Sequence, residues 1–201
     1  MYLSKVLVKG PACRNPYEIH RVLWRVFPED AEAKRDFLFR VEQSDYAHAE
    51  ILMQSDRRPE IPSDKVRILA CKAYRPVFGP GHRLRFLLVA NPIKMINDES
   101  ERKNARGETK KCRVPLIRED EQRDWIKRKF GDAASIEELT IDPASRIRFR
   151  KTKEDRVGKI QPVVYKGTLK VQIPEAMMTL VKTGIGPAKA LGYGLISLAR
   201  T

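Results

Sequence analysis

The sequence predicts an α+β fold, and three features of its first half indicate this. The run from Tyr2 to Val8 is short and rich in aliphatic residues, as is typical of a strand. Three further strand-like runs lie at 37–42, 48–53 and 66–74. Between the first two runs, apolar residues recur at the spacing of one helix face, at Ile19, Val22, Leu23, Val26 and Phe27.

This order of one strand, one helix and three strands predicts a ferredoxin-like domain, the topology of RNA-recognition modules. Asn15 is a favourable N-cap, Pro16 suits the first helical position, and Glu18 can complete a capping box. Pro28 is expected to end the helix. The segment 76–81, rich in Pro and Gly, is the predicted domain boundary. We therefore expect one domain over residues 1–77 and a second over 82–201.

The second half of the chain partly repeats this pattern. Arg83–Ala90 alternates as a strand does, and Glu119–Phe130 is a predicted helix that Gly131 ends. The polar, basic stretch 97–113 is interpreted as a mobile loop. Further strands are expected within 136–151, 163–173 and 195–199, with a short helix between Pro174 and Gly184. The whole chain is thus predicted to form two tandem ferredoxin-like domains.

The charge of the chain points to a polyanionic partner. Its 201 residues include 40 Lys plus Arg against 26 Asp plus Glu, which gives a net charge of +14. Nucleic acid is the first expectation, because phosphate contacts supply most sequence-independent affinity. A membrane surface is less favoured, because no basic helix has a broad apolar face.

Cysteine usage and hydropathy suggest a cytoplasmic protein. Cys13, Cys71 and Cys112 are odd in number and far apart, which argues against a disulfide framework or a cysteine-based zinc site. No stretch approaches membrane-spanning length, and the N-terminus lacks the apolar core of a signal peptide.

The first helix carries one candidate catalytic pair. His20 lies at the edge of the predicted buried face, Tyr17 lies one turn earlier, and Trp24 shares that flank, while Arg21 points further outward. RNA cleavage requires a base for the 2′-hydroxyl, an acid for the leaving oxygen and a cation for the phosphorane. Imidazole can take either proton role near neutral pH. A histidine that merely packs against a tyrosine at the solvent edge is the alternative.

The second candidate is the glycine-rich segment, residues 183–195, in which a lysine accompanies four glycines. Such a backbone can approach a phosphate closely, with Gly184, Gly186, Lys189 and Gly192 as candidate contacts. The segment matches neither a Walker A loop nor a dinucleotide-binding fingerprint. A tight helix end followed by a turn explains the glycines equally well.

Two basic runs are candidate RNA-binding regions. On a strand, Arg146, Arg148 and Arg150 would face the same way, as suits a duplex backbone. Charge runs are also common on solvated faces, so that alternative stays open. The further candidates are Arg21, Lys94, Arg102, Lys103, Lys110, Lys111, Arg113, Lys151, Lys153 and Lys159.

No metal or cofactor site is expected. His20, His48 and His82 show no metal-ligand spacing with each other or with cysteine. The sequence also lacks the acidic cluster typical of a two-metal nuclease. If the protein is a nuclease, the prediction is therefore a metal-independent attack by the 2′-hydroxyl, and hence activity on RNA only.

Several segments together resemble the CasE family, the precursor CRISPR RNA endoribonucleases of type I-E systems and subunits of the Cascade complex. They are MYLSKV at 1–6, DFLFRVE at 36–42, ANPIK at 90–94, CRVPLI at 112–117 and GIGPAK at 184–189. The resemblance covers essentially the whole chain in the same order. The glycine-rich segment by itself resembles the wider RAMP superfamily.

The resemblance implies a fold, a reaction and partners. It implies two tandem ferredoxin-like domains that bind a repeat stem-loop across a basic face and cut at the 3′ base of the stem. The products would carry a 5′-hydroxyl and a 2′,3′-cyclic or 3′ phosphate, and the hairpin would stay bound within Cascade. The family's catalytic histidine matches His20, its tyrosine matches Tyr17, and its basic hairpin resembles residues 146–159.

Two other functions remain open on the sequence. A non-catalytic subunit could cap the hairpin of a guide RNA, with His20 only contacting RNA. A general RNA chaperone would bind unrelated hairpins with similar affinity, whereas the processing enzyme requires a strong preference for one repeat.

Overall fold

The computed structural model describes residues 1–28, 36–60, 63–97, 100, 102–103, 105–145, 147–150 and 157–201. The elements of the first half are β1 (Tyr2–Lys9), α1 (Pro16–Trp24), β2 (Phe37–Ser44), β3 (His48–Ser55) and β4 (Val66–Ala73). The four strands form a sheet with the ferredoxin-like order β2-β3-β1-β4 and antiparallel neighbours.

Local sequence explains where α1 begins and which face it buries. The side-chain oxygen of Asn15 accepts a hydrogen bond from the backbone N–H of Tyr17, at 3.1 Å, so Asn15 is the N-cap that the sequence predicted. Ile19, Val22 and Leu23 are buried against the sheet, and the predicted helix face is confirmed. The helix ends at Trp24, earlier than Pro28 suggested.

The second half repeats the topology with two inserted hairpins. Its elements are β5 (Arg83–Ala90), β6 (Ile93–Asn97), β7 (Lys111–Pro115), α2 (Glu119–Phe130), β8 (Ala134–Pro143), β9 (Ile147–Arg150), β10 (Val157–Ile160), β11 (Val163–Val171), α3 (Pro174–Thr183) and β12 (Ile196–Arg200). The main sheet has the strand order β12-β5-β11-β8, again antiparallel, and the hairpins are β6-β7 and β9-β10.

The structure corrects one part of the predicted loop at 97–113. Lys111, Cys112 and Arg113 belong to strand β7, which pairs with β6 from Ile93↔Pro115 to Asn97↔Lys111. The sequence did not indicate this strand, because its alternation is limited to two half-buried residues, Cys112 and Val114, too few to stand out within a basic stretch. Pairing with β6, rather than burial, satisfies its backbone hydrogen bonds.

Each half has its own hydrophobic core. The first core includes Val6, Leu23 and Ile51, and the second includes Leu88, Trp125, Tyr165, Leu169 and Met177. The α+β class and the two ferredoxin-like folds are confirmed. The boundary at 76–81 lies between β4 and β5 and stays a prediction.

Polar and steric contacts join the two halves. Gln54 on β3 is buried, and its Nε2 donates to the carbonyl oxygen of Val181 on α3, at 2.8 Å. Arg40 on β2 donates from Nη1 to the carbonyl oxygen of Leu195, at 3.4 Å. Because a buried donor that loses its partner is costly, these contacts hold the halves together. Among the described helices, none is both long and apolar enough to cross a membrane.

Candidate active site and nucleic-acid interface

His20 lies among aromatic rings on the flank of α1. Its ring centroid is 5.4 Å from that of Phe37 and 6.4 Å from that of Phe39, with both rings inclined by 30° or less. Trp24 meets it edge-on at 6.3 Å. The His20 side chain is half-buried, and its Nε2 atom is enclosed by protein. These contacts restrict the imidazole to one orientation, as a positioned proton-transfer group requires.

Tyr17 and Arg21, the other candidate residues on α1, lie near His20. Tyr17 is half-buried one turn before His20. Arg21 is exposed, and its Nη1 lies 3.1 Å from the carboxylate of Glu18. An exposed ion pair of this kind contributes little stability. Arg21 can therefore exchange Glu18 for a phosphate at small cost.

The glycine-rich segment, residues 183–195, packs against a ring that also contacts this histidine. A Cβ on Gly192 would lie 3.0 Å from Phe39, the ring on which His20 stacks. The helical turn Lys189–Leu191 lies against α1. One phenylalanine ring thus separates the candidate catalytic residue from the backbone of the glycine-rich segment, although the two are far apart in sequence.

Backbone conformation and close packing explain why glycine occupies four positions of this segment. Gly184, Gly186, Gly192 and Gly194 all have positive φ. A Cβ on Gly186 would lie 2.9 Å from Trp125, and one on Gly194 would lie 2.7 Å from the carbonyl oxygen of Ile185. Close packing therefore explains these positions without a ligand, and phosphate contact by the segment stays a prediction.

Tyr193, within the same segment, allows a test of pH dependence. Burial raises the pKa of Tyr193, as it does that of Tyr165. The unfolded chain loses these protons above about pH 10 while the folded chain keeps them, so the free energy of unfolding falls as pH rises. Once the phenol is fully ionised in the unfolded chain, each tyrosine contributes a fall of about 1.4 kcal/mol per pH unit.

Between pH 10 and 11, where the unfolded-state phenol is still titrating, we expect Tyr193→Phe to make this fall smaller by about 1 kcal/mol. At pH 7 the variant should be as stable as the wild type or more so, because the Tyr193 hydroxyl makes no hydrogen bond within the described residues. Denaturant unfolding at the three pH values measures both effects. Tyr46→Phe, at a 74 % exposed side chain, is the control. An unchanged slope in Tyr193→Phe would contradict the prediction.

The predicted basic residues of the first run lie on and around the β6-β7 hairpin. Lys111 and Arg113 lie on β7 and are exposed. Lys94 on β6 forms an ion pair with Glu121, at 2.8 Å. Nearer the hairpin tip, the backbone N–H of Lys110 donates to the carbonyl oxygen of Arg102. The backbones of Lys103 and Thr109 form an antiparallel β-bridge.

The second basic run is described only in part. Arg146, Lys151 and Lys153 lie outside the described residues. Arg148 and Arg150 occupy alternate positions of β9, and Arg148 is opposite Lys159 on β10. Strand β9 lies against α1. The structure therefore brings the backbone of this hairpin to the helix that carries His20.

Two further cations, which carry no functional signal in the sequence, lie beside the glycine-rich segment. Arg128 and Lys129, in the last turn of α2, line a cleft together with Gly186 and Lys189. The sequence shows them only as part of a basic helix end, which is a common and non-functional arrangement. Among the described residues, no group of His, Cys, Asp or Glu side chains is arranged to hold a metal ion.

Known proteins match this chain over nearly its whole length. The family of CRISPR associated proteins matches residues 1–200. The chain is 40% identical over 200 residues to the CRISPR system Cascade subunit CasE of Escherichia coli, covering 99% of both chains. It is 31% identical over 222 residues to the CRISPR-associated endoribonuclease Cse3 of Thermus thermophilus, covering 99% of this chain and 100% of the relative.

Solved structures show the same similarity. The crystal structure of the CRISPR-associated protein Cas6e from Escherichia coli superposes with a TM-score of 0.85 at 38% identity, covering 100% of both chains. A structure of the CRISPR endoribonuclease Cse3 bound to a 19-nucleotide RNA superposes with a TM-score of 0.77 at 29% identity, covering 99% of this chain and 100% of that one.

Proposed function

This chain belongs to the family of CRISPR associated proteins, and from that premise we propose that it cuts repeat stem-loops out of precursor CRISPR RNA. It is an endoribonuclease and a Cascade subunit, in keeping with its relatives named for those roles. The observation that carries the catalytic assignment is the convergence at α1. The helix positions His20, while the Lys189–Leu191 turn and strand β9 both lie against it.

The proposed reaction needs only proton transfers and charge stabilisation. His20 takes the proton of the 2′-hydroxyl, whose oxygen attacks the adjacent phosphorus and closes a 2′,3′-cyclic phosphate. The P–O5′ bond breaks, and the 5′-oxygen takes up a proton, so that the second product carries a 5′-hydroxyl. Tyr17 orients the reacting groups or supplies that proton, and a cation such as Arg21 stabilises the phosphorane.

The product hairpin stays bound after cleavage. A net charge of +14 favours slow release of a polyanion, because each neutralised phosphate adds affinity. The bound hairpin then connects the mature guide RNA to the other Cascade subunits. We infer that this takes place in the cytoplasm.

One observation favours the alternative of a non-catalytic subunit that caps the guide-RNA hairpin. The Nε2 atom of His20 is enclosed, as in a histidine whose main role is packing against Phe37 and Phe39. In that case the protein would bind the repeat tightly without cutting it.

Cleavage of the host's own repeat RNA in EDTA distinguishes these functions. We expect the wild-type protein to cut the labelled repeat and to leave intact a matched RNA with 2′-deoxy at the scissile nucleotide, because that RNA lacks the nucleophile. Both RNAs should bind with affinities within about twofold of each other, since phosphate contacts dominate affinity. Cleavage of the deoxy substrate would exclude 2′-hydroxyl attack. Tight binding of both RNAs with no cleavage would favour the capping subunit.

A further inference from the structure

A groove beside the glycine-rich segment is lined by cations from three separate parts of the fold. Arg113 comes from β7, and Arg128 and Lys129 come from the last turn of α2. Lys189, from the turn after α3, completes the set. We call this cleft of about 660 Å³ the basic groove; no Asp or Glu is among the described residues that line it.

Three cations of the basic groove have no acidic partner within the part of the chain that the structure describes. Arg113, Arg128 and Lys129 form no ion pair with any described acidic residue. Elsewhere several cations are neutralised by such pairs, as in Lys5–Glu50, Arg57–Asp36, Arg83–Glu137 and Lys166–Asp142. Like charges held close together without counter-charges repel one another, and an anionic ligand relieves that repulsion.

The end of a helix does not by itself explain this cluster. Basic residues in the last turn of α2 favourably oppose the helix dipole, and Lys127 in the same turn does so without lining the groove. Arg113 and Lys189 belong to other elements, so the dipole does not explain why they converge on the same cleft. A ligand that all of these residues contact would explain it.

The buried Trp125 supports one side of the groove, and apolar side chains line its floor. The ammonium of Lys129 lies 5.7 Å from the ring centroid of Trp125, and Gly186 packs against the same ring. Ile93, Met95 and Leu180 also line the groove, and Met95 is 53 % exposed. Single-strand binders combine a positively charged groove for the phosphates with side chains, usually aromatic, that contact the bases; here Ile93, Met95 and Leu180 offer the bases an apolar surface.

The position of the groove indicates which RNA segment it would bind. Lys189 lines the groove and begins the turn that lies against α1, so the groove starts next to the flank that carries His20. We infer that the basic groove binds single-stranded RNA that flanks the repeat stem-loop. This inference rests on the proposed function, because it takes His20 as the point from which the flanking strand continues.

Two double variants with equal charge test the inference. Arg128→Gln with Lys129→Gln removes two groove cations. Arg123→Gln with Lys127→Gln removes two cations from the same helix outside the groove. The ligands are the repeat stem-loop alone and the same stem-loop with about six single-stranded nucleotides on each side, within the site sizes of single-strand binders. Both RNAs carry 2′-deoxy at the scissile position, so binding is measured without cleavage.

We expect the groove variant to bind the flanked RNA about tenfold more weakly than the wild type, and the bare stem-loop within about twofold. For the flanked RNA, the slope of log K against log salt should become shallower by about 1.4, which corresponds to two lost single-strand phosphate contacts. The control variant should bind both RNAs within about twofold of the wild type.

Two results would overturn the inference. Equal losses for both RNAs would mean that the groove contacts the stem or acts only through net charge. No loss for either RNA would mean that the groove has another ligand, such as an acidic protein segment. Failure of the proposed function has a separate readout, since the wild-type protein would then leave the all-ribose repeat RNA uncut in EDTA.

Discussion

His20→Ala is expected to lower the rate of repeat cleavage by about 10²–10⁴-fold while leaving RNA affinity within about threefold. The physical reason is that the imidazole would transfer protons in the transition state, whereas binding depends on many phosphate contacts. Single-turnover cleavage in EDTA and equilibrium binding measure the two quantities separately.

The aromatic contacts of His20 require a second variant. Because the ring stacks on Phe37 and Phe39, His20→Ala also leaves a space that destabilises the fold. His20→Phe fills that space without a titratable group and should be equally inactive. His48→Ala, at a half-exposed histidine on β3, is the matched control and should cut at the wild-type rate. Full activity of His20→Phe would show that the active site lies elsewhere in the protein.

Gly184→Ala is expected to lower the free energy of unfolding by about 2–6 kcal/mol. Gly184 has φ 73° and ψ 165°, a region that costs a residue with a Cβ about 1–3 kcal/mol. The added Cβ would also lie 2.9 Å from the carbonyl oxygen of Gly194 and 2.9 Å from Cδ1 of Leu38 on β2, and such overpacking costs about 1–3 kcal/mol more.

Thermal unfolding and denaturant titration measure this loss, which corresponds to a fall in Tm of roughly 4–24 °C for a chain of this size. Gly107→Ala is the matched control, because Gly107 also has positive φ, at 78°, but a Cβ added there would meet no described atom within 4 Å. It should lose only the backbone contribution of about 1–2 kcal/mol. Equal losses in the two variants would show that the contact between Gly184 and Leu38 adds nothing.

The sequence alone determined the elements that have a strong local pattern. The apolar spacing on α1, the Asn15 cap and the alternation of Arg83–Ala90 all appear in the structure at or near their predicted bounds. Their signals are local, since burial of one face imposes a period of 3.6 or 2 residues on the chain. The net charge and the family resemblance likewise came from the residues alone.

Only the tertiary structure decided which of these features meet. Phe39 contacts His20 on one side and approaches Gly192 on the other, and Arg128 lines the basic groove together with Lys189. Strand β7 also escaped prediction, because it is stabilised by pairing with β6 rather than by burial of its own side chains. Periodicity reports which face of an element is buried. It carries no information about the remote segment that buries it, because that choice depends on how side chains from the whole chain pack together.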